Sequence, residues 1–491
     1  MSIPFWICGW GGCDEPAAQR TGDCLLCNRH LCRKHAQKPH HQCPTPDVSC
    51  FSADLSHADL NKENWESYSS QFAAAQSRYL QELGSKINEL ELCARASKLR
   101  GGIGCTVDLS QKSLAGRMGN QNCHAEIVFD DSIRWLARFR LAWTLSPPAE
   151  VRRYILRSEA ATLMYLERNT RLPTPTIFDW GYASDPTNAI GVDYILMEKL
   201  DGTPLNWPAA NLEQKEKILQ QLADVFLEIE RHPFSAVGSL VTLDRVSPHE
   251  PSVEGAPTDE SSAFDVEGLA CHSTFHLGKG ALGPFTSPLD ASKAIVQTFL
   301  TLIERGEIDA RNPVNTYLAH RFRLDVVDGL FESSQPTDQL FLKHPDDKGD
   351  HILVNEAFDI IGIIDWEWTR TASKAEAFSS PCMLWPIGKF YDGFNELKAG
   401  EMRLAEILRE RGRGDLAGYG ENGRKVQRFF FCLGTEGAYD DEKTFAALFM
   451  GLQRAFGFED ADWAVWKGEA LEKARNDPVL LQLLEREAQD Q

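Results

Sequence analysis

The sequence predicts an α+β protein: a small β-rich lobe, then a large helical lobe, preceded by a short module knit together by metal. Three observations lead there. Six of the 13 cysteines fall within the first 43 residues, mixed with histidines. Between 103 and 200, short apolar runs bounded by turn residues read as strands. From 212 onward, helical periods dominate. The 491 residues leave room for roughly two to four domains and a large core. No internal repeat is visible.

Hydrophobic (43 %) and charged (25 %) fractions are those of an ordinary globular chain. The net charge of −20 repels nucleic acid and anionic membranes, so neither is expected as a partner. Residues 1–46 hold 5 Lys+Arg against 3 Asp+Glu; the remaining 46 and 68 give −22. The start, MSIPFWICGWGG, lacks a basic n-region and a long apolar run, and no stretch reaches the ~20 apolar residues of a span. No signal peptide or membrane segment is expected, and the reading is a cytosolic or nuclear protein. In a reducing compartment, clustered cysteines mean metal and not disulfides. Cys50, Cys93, Cys105, Cys123, Cys271, Cys382 and Cys432 are scattered and read as ordinary thiols.

The first element is residues 1–46. Its ligand candidates run Cys8-x4-Cys13-x10-Cys24-x2-Cys27-x4-Cys32-x2-His35-x5-His41-x-Cys43. Eight soft or borderline ligands in 36 residues suit two tetrahedral zinc sites. So short a segment builds no apolar core, so the metals supply its folding energy. Closed four-ligand shells argue for structure over catalysis. From Cys13 onward the spacing resembles the AN-one-type zinc finger of stress-associated proteins, although the first gap, Gly9–Gly12, is four residues where that family has two. The resemblance implies a cross-braced pairing: Cys8, Cys13, Cys32 and His35 on one zinc, Cys24, Cys27, His41 and Cys43 on the other. It also implies a protein partner. His30 and His40 are off the pattern and read as packing or solvent residues.

Residues 47–64 read as a polar linker, and 65–100 as an amphipathic helix carrying Trp65, Tyr68, Phe72, Leu80, Leu83, Ile87 and Leu90, stopped by Gly101–Gly102. The β-rich lobe is assigned to 101–199. Ala125–Phe129 and Arg134–Leu141 read as strands around an Asp130–Asp131–Ser132 turn, Arg152–Leu166 as a helix, and 192–197 as a further strand. The helical lobe, 200–491, has helices expected at 212–231, 289–307, 311–322, 396–412, 424–434, 441–455 and 461–475. The stretch 242–287, rich in Pro, Ser, Gly and acid, reads as an insertion, either a lid or a surface excursion.

The chemistry concentrates in 343–368, KHPDDKGDHILVNEAFDIIGIIDWEW. Phosphoryl transfer needs a carboxylate to orient the acceptor hydroxyl, oxygen ligands for a divalent ion, and a cation with its own carboxylate partner for the phosphates. Asp346 in His344-Pro345-Asp346 follows a strand, 339–342. Strands 352–354 and 360–364 form a hairpin that ends at Asp365, beside Asp346. This segment resembles the catalytic loop and metal strand of the aminoglycoside phosphotransferase and choline kinase superfamily, especially its fungal branch, in outline from about 101 to 470. The resemblance implies a bilobal protein-kinase-like fold, ATP as phosphoryl donor, Asp346 as catalytic base and Asp365 as magnesium ligand. Glu367 is expected close to the site, with packing or a contact through a neighbouring residue as its role. Arg138, in Arg134–Phe139, stands where the family has its phosphate-binding lysine, with Glu159 as its partner. Met197-Glu198-Lys199 resembles the hinge whose backbone meets adenine. Gly116–Asn122 reads as a phosphate-covering loop or a plain turn.

One position departs. The loop pattern puts asparagine at 351, and this chain has His351. Imidazole is softer and bulkier than the oxygen ligands magnesium takes, so one of two metal positions is expected to weaken, with manganese preferred to magnesium. Asp347 and Asp350 are further carboxylates nearby, and Trp366, Trp368 and Trp385 read as core or as walls of an acceptor site. Two functions stay open: a small-molecule kinase, or a nucleotide-binding pseudokinase serving as a zinc-dependent scaffold. A protein kinase proper is disfavoured, since no G-x-G-x-x-G-x-V, D-F-G or A-P-E series is present.

Overall fold

The computed structural model describes residues 3–44, 58–242, 263–308, 312–331, 339–431, 442–458 and 462–489. Most of the expected linker, and the centre of the 242–287 insertion, lie outside the described residues. The chain forms two compact units. One comprises Met1–Ala73, Ser273–Gln339 and Ser373–Gln491; the other comprises Ala74–His272 and Leu340–Ala372. Among the described residues, no helix is long and apolar enough to cross a membrane.

The chain opens with two short paired strands, β1 (Asp23–Cys24) and β2 (Arg29–His30). Where one amphipathic helix is expected over 65–100, two occur: α1 (Ala58–Lys86) and α2 (Glu89–Leu99). The break has a local cause. Asn88 caps α2 by accepting the Glu91 N–H, a role asparagine prefers to a helix interior.

Five antiparallel strands follow: β3 (Cys105–Val107), β4 (Asn122–Phe129), β5 (Arg134–Arg140), β6 (Ile177–Gly181) and β7 (Tyr194–Glu198). Their order is β3-β4-β5-β7-β6. The β4–β5 turn passes through Ser132 at φ 69°. A short helix, α3 (Gln111–Gly116), precedes β4, and α4 (Ala149–Asn169) lies between β5 and β6 in sequence. The two-residue period of a strand separates two cores. Tyr194 and Leu196 of β7 join Leu80, Leu83 and Leu92 of α1 and α2. Ile195 and Met197 join Leu156, Leu163 and Met164 of α4.

The same unit continues with β8 (Thr203–Pro204), α5 (Leu212–Glu230), β9 (Ser239–Thr242) and β10 (Phe264–Glu267). The pairing of β10 with β9 gives the expected insertion one ordered edge. The chain then enters the other unit with β11 (Phe275–His276), β12 (Gly280–Ala281), α6 (Pro288–Glu304) and α7 (Pro313–Val326). It returns with β13 (Phe341–Lys343), β14 (Ile352–Val354), β15 (Ile360–Ile363) and β16 (Arg370–Ala372).

The segment 343–368, expected within a helical lobe, therefore packs in the unit that carries the sheet. Strand pairing explains this. β14 lies between β15 and β8, and β13 pairs with β16. The Ile363 N–H donates to Pro173 O at 2.7 Å, and the Ile360 N–H donates to the Gln221 side chain of α5 at 2.7 Å. Sheet, α4 helix and the β14–β15 hairpin, in this order, give an α+β fold.

The other unit is mostly helical. After α7 it adds α8 (Lys374–Ala377), α9 (Ile387–Tyr391), α10 (Ala399–Glu410), α11 (Gly414–Glu421), α12 (Arg424–Phe430), α13 (Glu442–Ala455), α14 (Trp463–Lys473) and α15 (Pro478–Gln489). Its core includes Phe322, Phe390, Phe445, Phe449 and Trp463. Trp385 lies in the same cluster, which places it in this core. The N-terminal module belongs to this unit too. The Gln19 N–H donates to Glu307 O at 2.7 Å, and Ile3 bridges Leu277.

His320 of α7 is 1 % exposed, stacks on Phe299 and meets the Arg323 guanidinium at 3.0 Å. Burial, then Arg323, holds its pKa well below 6.5. The unfolded chain binds a proton there near pH ~6.5 and the fold does not. The stability this neutral histidine contributes is complete above that pH and falls by ~1.4 kcal/mol per unit as pH drops. Calorimetry between pH 7.5 and 5 should show the loss, and His320→Gln should make the slope shallower by ~1.4 kcal/mol per pH unit, the share of one histidine among several.

Candidate functional site

The N-terminal ligands gather as the AN-one-type resemblance implies. Cys8, Cys13, Cys32 and His35 form one group, and Cys24, Cys27, His41 and Cys43 the other, with ligand atoms within 4.8 Å of one another in each. His35 Nδ1 lies 3.4 Å from Cys8 Sγ and 3.3 Å from Cys32 Sγ, and Cys27 Sγ lies 3.6 Å from His41 Nε2. Bonds of ~2.3 Å to sulfur and ~2.0 Å to nitrogen give tetrahedral edges of roughly 3.5–3.8 Å, so both groups fit zinc. Gly12, at φ 79°, closes the wide first gap. Without metal, burial and then the neighbouring Cys24 sulfur push the Cys27 thiol up to about 12. Burial, then His40, lowers His35, which suits a neutral imidazole ligand. The off-pattern histidines pack: His30 stacks on Trp6 at 4.2 Å, and His40 meets Trp10 edge-on at 5.1 Å.

The second constellation lies in the sheet-bearing unit, centred on β5. Side chains two apart on a strand share a face, so Arg138 and Arg140 point the same way. Arg138 is 7 % exposed. It makes a short ion pair with Glu159 of α4, and its Nη2 lies 3.0 Å from both Asp365 Oδ1 and Glu367 Oε2. Arg140 pairs with the other Glu367 oxygen, and Asn122 Nδ2 donates to Glu367 at 3.0 Å. The Arg138–Glu159 pair is where the sequence places it, and a single guanidinium joins that pair to Asp365. Arg140 and Asn122 were not anticipated. Three arginines in the seven residues of β5, two of them at i and i+2, are the available signal.

Asp365 sits at φ 62°, a left-handed conformation that aspartate tolerates better than most residues and that recurs at functional sites. Its side chain is 53 % exposed. Burial raises its pKa, but Arg138 and then His344 outweigh that and hold it below the usual carboxylate range. Burial pushes the Glu159 carboxyl upward, and the Arg138 guanidinium opposes that shift. An oxygen donor that stays ionised and reaches solvent suits magnesium or manganese. His124 of β4 faces this cluster; burial, then Arg138, lowers it to about 4, so its imidazole is neutral.

Asp346 belongs to the loop between β13 and β14. His344 Nε2–H donates to Ile364 O at 2.9 Å, which ties the start of that loop to the residue before Asp365. The Asp346 carboxylate is 40 % exposed and meets Lys348 Nζ at 2.9 Å. Lys348 also approaches Asp350 at 3.7 Å, while Asp347 is held by Lys343 at 2.6 Å.

His351, expected as a weakened metal ligand, is turned inward. It is 8 % exposed, stacks on His344 at 4.3 Å, and accepts the Gly349 N–H at Nδ1 (3.3 Å). Burial, then His344, lowers it to about 2. Its ring fills the space beneath the loop. Among the described residues, only the two finger tetrads gather three or more His, Cys, Asp or Glu ligand atoms within 4.8 Å of one another, so Asp346, His351 and Asp365 make no such group. A divalent ion fits the donor chemistry at Asp365 and not at His351.

The remaining expected residues divide. The Glu198 N–H donates to Thr176 O at 2.8 Å and its side chain accepts the Thr176 N–H, so its own N–H is used within the sheet. The Gly116–Asn122 stretch closes as a turn, with Gly119 N–H donating to Asn122 O at 2.8 Å. Trp366 is core, 2 % exposed, with Nε1–H donating to Ile363 O.

No protein-family model matches the chain. Two curated relatives, subtelomeric hrmA-associated cluster proteins from two strains of Aspergillus fumigatus, are each 33 % identical over 97 residues. That is 19 % of this chain, and the chain spans only 19 % of the length of those relatives. Among solved structures, an ethanolamine kinase of Plasmodium vivax is 14 % identical, with 83 % of this chain and 95 % of that one covered and a TM-score of 0.40. The ADP-bound aminoglycoside phosphotransferase APH(2'')-Ib is 10 % identical, with 69 % and 92 % covered and a TM-score of 0.39. The GDP complex of aminoglycoside 2'-phosphotransferase-IIIa is 15 % identical, with 79 % and 99 % covered and a TM-score of 0.38.

Proposed function

We propose that the chain is an ATP-dependent phosphotransferase of the aminoglycoside phosphotransferase and choline kinase type, in its fungal branch, acting on a hydroxyl of a small molecule. The observation that carries this reading is Arg138: one buried guanidinium bonds Glu159 on one side and Asp365 on the other. A cation anchored by a helix carboxylate, beside a metal-competent aspartate, is the electrostatic core of phosphoryl transfer.

In this reading Asp365 would hold magnesium or manganese, which would supply positive charge against the donor's phosphates. Arg138 exchanges its bond to Asp365 for a phosphate oxygen while Glu159 keeps it in place. Asp346 accepts the acceptor's hydroxyl proton as that oxygen bonds to the γ-phosphorus and the bond to ADP breaks. Glu198 ends the strand whose following backbone groups meet adenine. The two zinc ions are structural, and the finger serves a protein partner, in the cytosol or nucleus.

The test is ADP release by the purified full-length chain over a panel of hydroxyl acceptors with Mg²⁺ and Mn²⁺. Wild type should exceed Asp346→Asn by at least ~100-fold with the right acceptor. A second reading is favoured by one observation: both carboxylates carry an internal cation, Lys348 on Asp346 and Arg138 on Asp365. ATP-induced thermal stabilisation with turnover equal in wild type and Asp346→Asn would establish the scaffold instead.

A further inference from the structure

Two lone-pair donors flank the Arg138 guanidinium. Asp365 gives Oδ1 to Arg138 Nη2 at 3.0 Å and keeps Oδ2. His124 of β4 is the residue directly opposite Arg138 of β5. Directly opposite side chains on paired strands share a face and stand ~4.5–5.5 Å apart at Cβ, so the imidazole and the carboxylate converge on one guanidinium. They are close enough to act on each other: Asp365 favours the protonated imidazole, and His124 favours the ionised carboxylate.

The orientation of the ring is fixed. Arg117 O accepts the His124 backbone N–H at 3.2 Å and the ring Nδ1–H at 3.0 Å. A carbonyl only accepts, so the ring proton is on Nδ1, and in the neutral ring Nε2 carries a bare lone pair. Among the described residues, neither His124 Nε2 nor Asp365 Oδ2 makes a hydrogen bond.

Donating one ring N–H to a backbone carbonyl is how proteins orient a histidine that binds metal through its other nitrogen. His344 makes the same kind of bond, Nε2–H to Ile364 O, but its Nδ1 is buried and its ring is stacked on His351. His124 is only half-buried, and its Nε2 is not among the buried unpartnered atoms, so that nitrogen reaches solvent.

Resting on the phosphotransferase reading above, we propose that His124 Nε2 is a second protein ligand, beside Asp365, of the divalent ion that meets the donor's phosphates. The choice of ion follows. Magnesium takes oxygen ligands and keeps several waters. An imidazole nitrogen moves a mixed site toward manganese and the later first-row ions. The preference for manganese that His351 was expected to impose falls to His124.

The experiment uses the full-length zinc-loaded protein, labelled with heavy nitrogen, and MnATP of natural isotope content. Wild type, His124→Gln, His124→Phe and Asp365→Ala are compared. Pulsed electron paramagnetic resonance reads nitrogen bound to manganese, and titration reads the affinities for MnATP and MgATP. Wild type should show a heavy-nitrogen coupling, which only the protein can supply, and both His124 variants should lose it. His124→Gln should weaken MnATP binding at least about tenfold, the scale on which metal-site partners act. MgATP binding should change less than about threefold there, because glutamine offers magnesium an oxygen. Wild type without a protein-nitrogen coupling, yet with MnATP binding that Asp365→Ala weakens, overturns the histidine's role alone. A coupling that survives in His124→Gln, or MnATP affinity unchanged in that variant, overturns it as well. His124→Gln keeps a donor for Arg117 O and so decides the question even if His124→Phe does not fold. MnATP bound equally by wild type and Asp365→Ala removes the phosphotransferase reading and this proposal together.

Discussion

Replacing Arg138 by methionine is expected to destabilise the sheet-bearing unit by ~3–5 kcal/mol, the usual cost of breaking a buried ion pair from one side. The substitution leaves Glu159, 2 % exposed, without its cation, and leaves Glu367 with Arg140 and Asn122. At ~2–4 °C per kcal/mol for a unit of this size, the calorimetric transition should fall by roughly 6–20 °C. Lysine is expected to lie between, because a point charge cannot serve Glu159, Asp365 and Glu367 together as the planar guanidinium does. Adding Glu159→Gln to Arg138→Met removes the stranded charge and should restore part of the loss. A double variant as unstable as the sum of the two singles would show that the pair is not coupled.

Zinc removal should have the other large effect. Structural zinc in small fingers supplies ~10–16 kcal/mol per site near pH 7, so residues 3–44 should unfold once a chelator strips both ions. The effect should also spread. Glu307, 1 % exposed, receives the Gln19 N–H at its carbonyl and holds Arg305 at 2.8 Å through its carboxylate. Amide hydrogen exchange should therefore rise at 302–308 as well as in the finger, with two zinc ions released per chain. Release of zinc with unchanged exchange at 302–308 would show that the finger is an independent appendage.

Much of this was legible in the sequence because the signals were local. The eight finger ligands announce themselves by spacing, and both tetrads form as the resemblance implies. Strand alternation placed β4 and β5, and the Asp365 strand was readable from its apolar run. Contacts between distant segments were not. Glu367 meets Asn122 across 245 positions, and no period or propensity reports that. α11 escaped notice because its eight residues contain three glycines, which pattern reading takes for loop. His351 was expected at a metal because its position in the loop invites it. Its side chain packs on His344 instead, since burial beside another ring suits a neutral imidazole better than an exposed edge crowded with cations.

The central claim is that Asp365 holds a divalent ion against ATP phosphates beside Arg138. Manganese bound to the protein–ATP complex, followed by electron paramagnetic resonance in wild type and Asp365→Ala, tests it most directly. Wild type should bind MnATP with a spectrum altered by a protein oxygen ligand, and Asp365→Ala should weaken binding at least about tenfold and lose that change. Equal affinity and identical spectra in the two proteins would contradict the account.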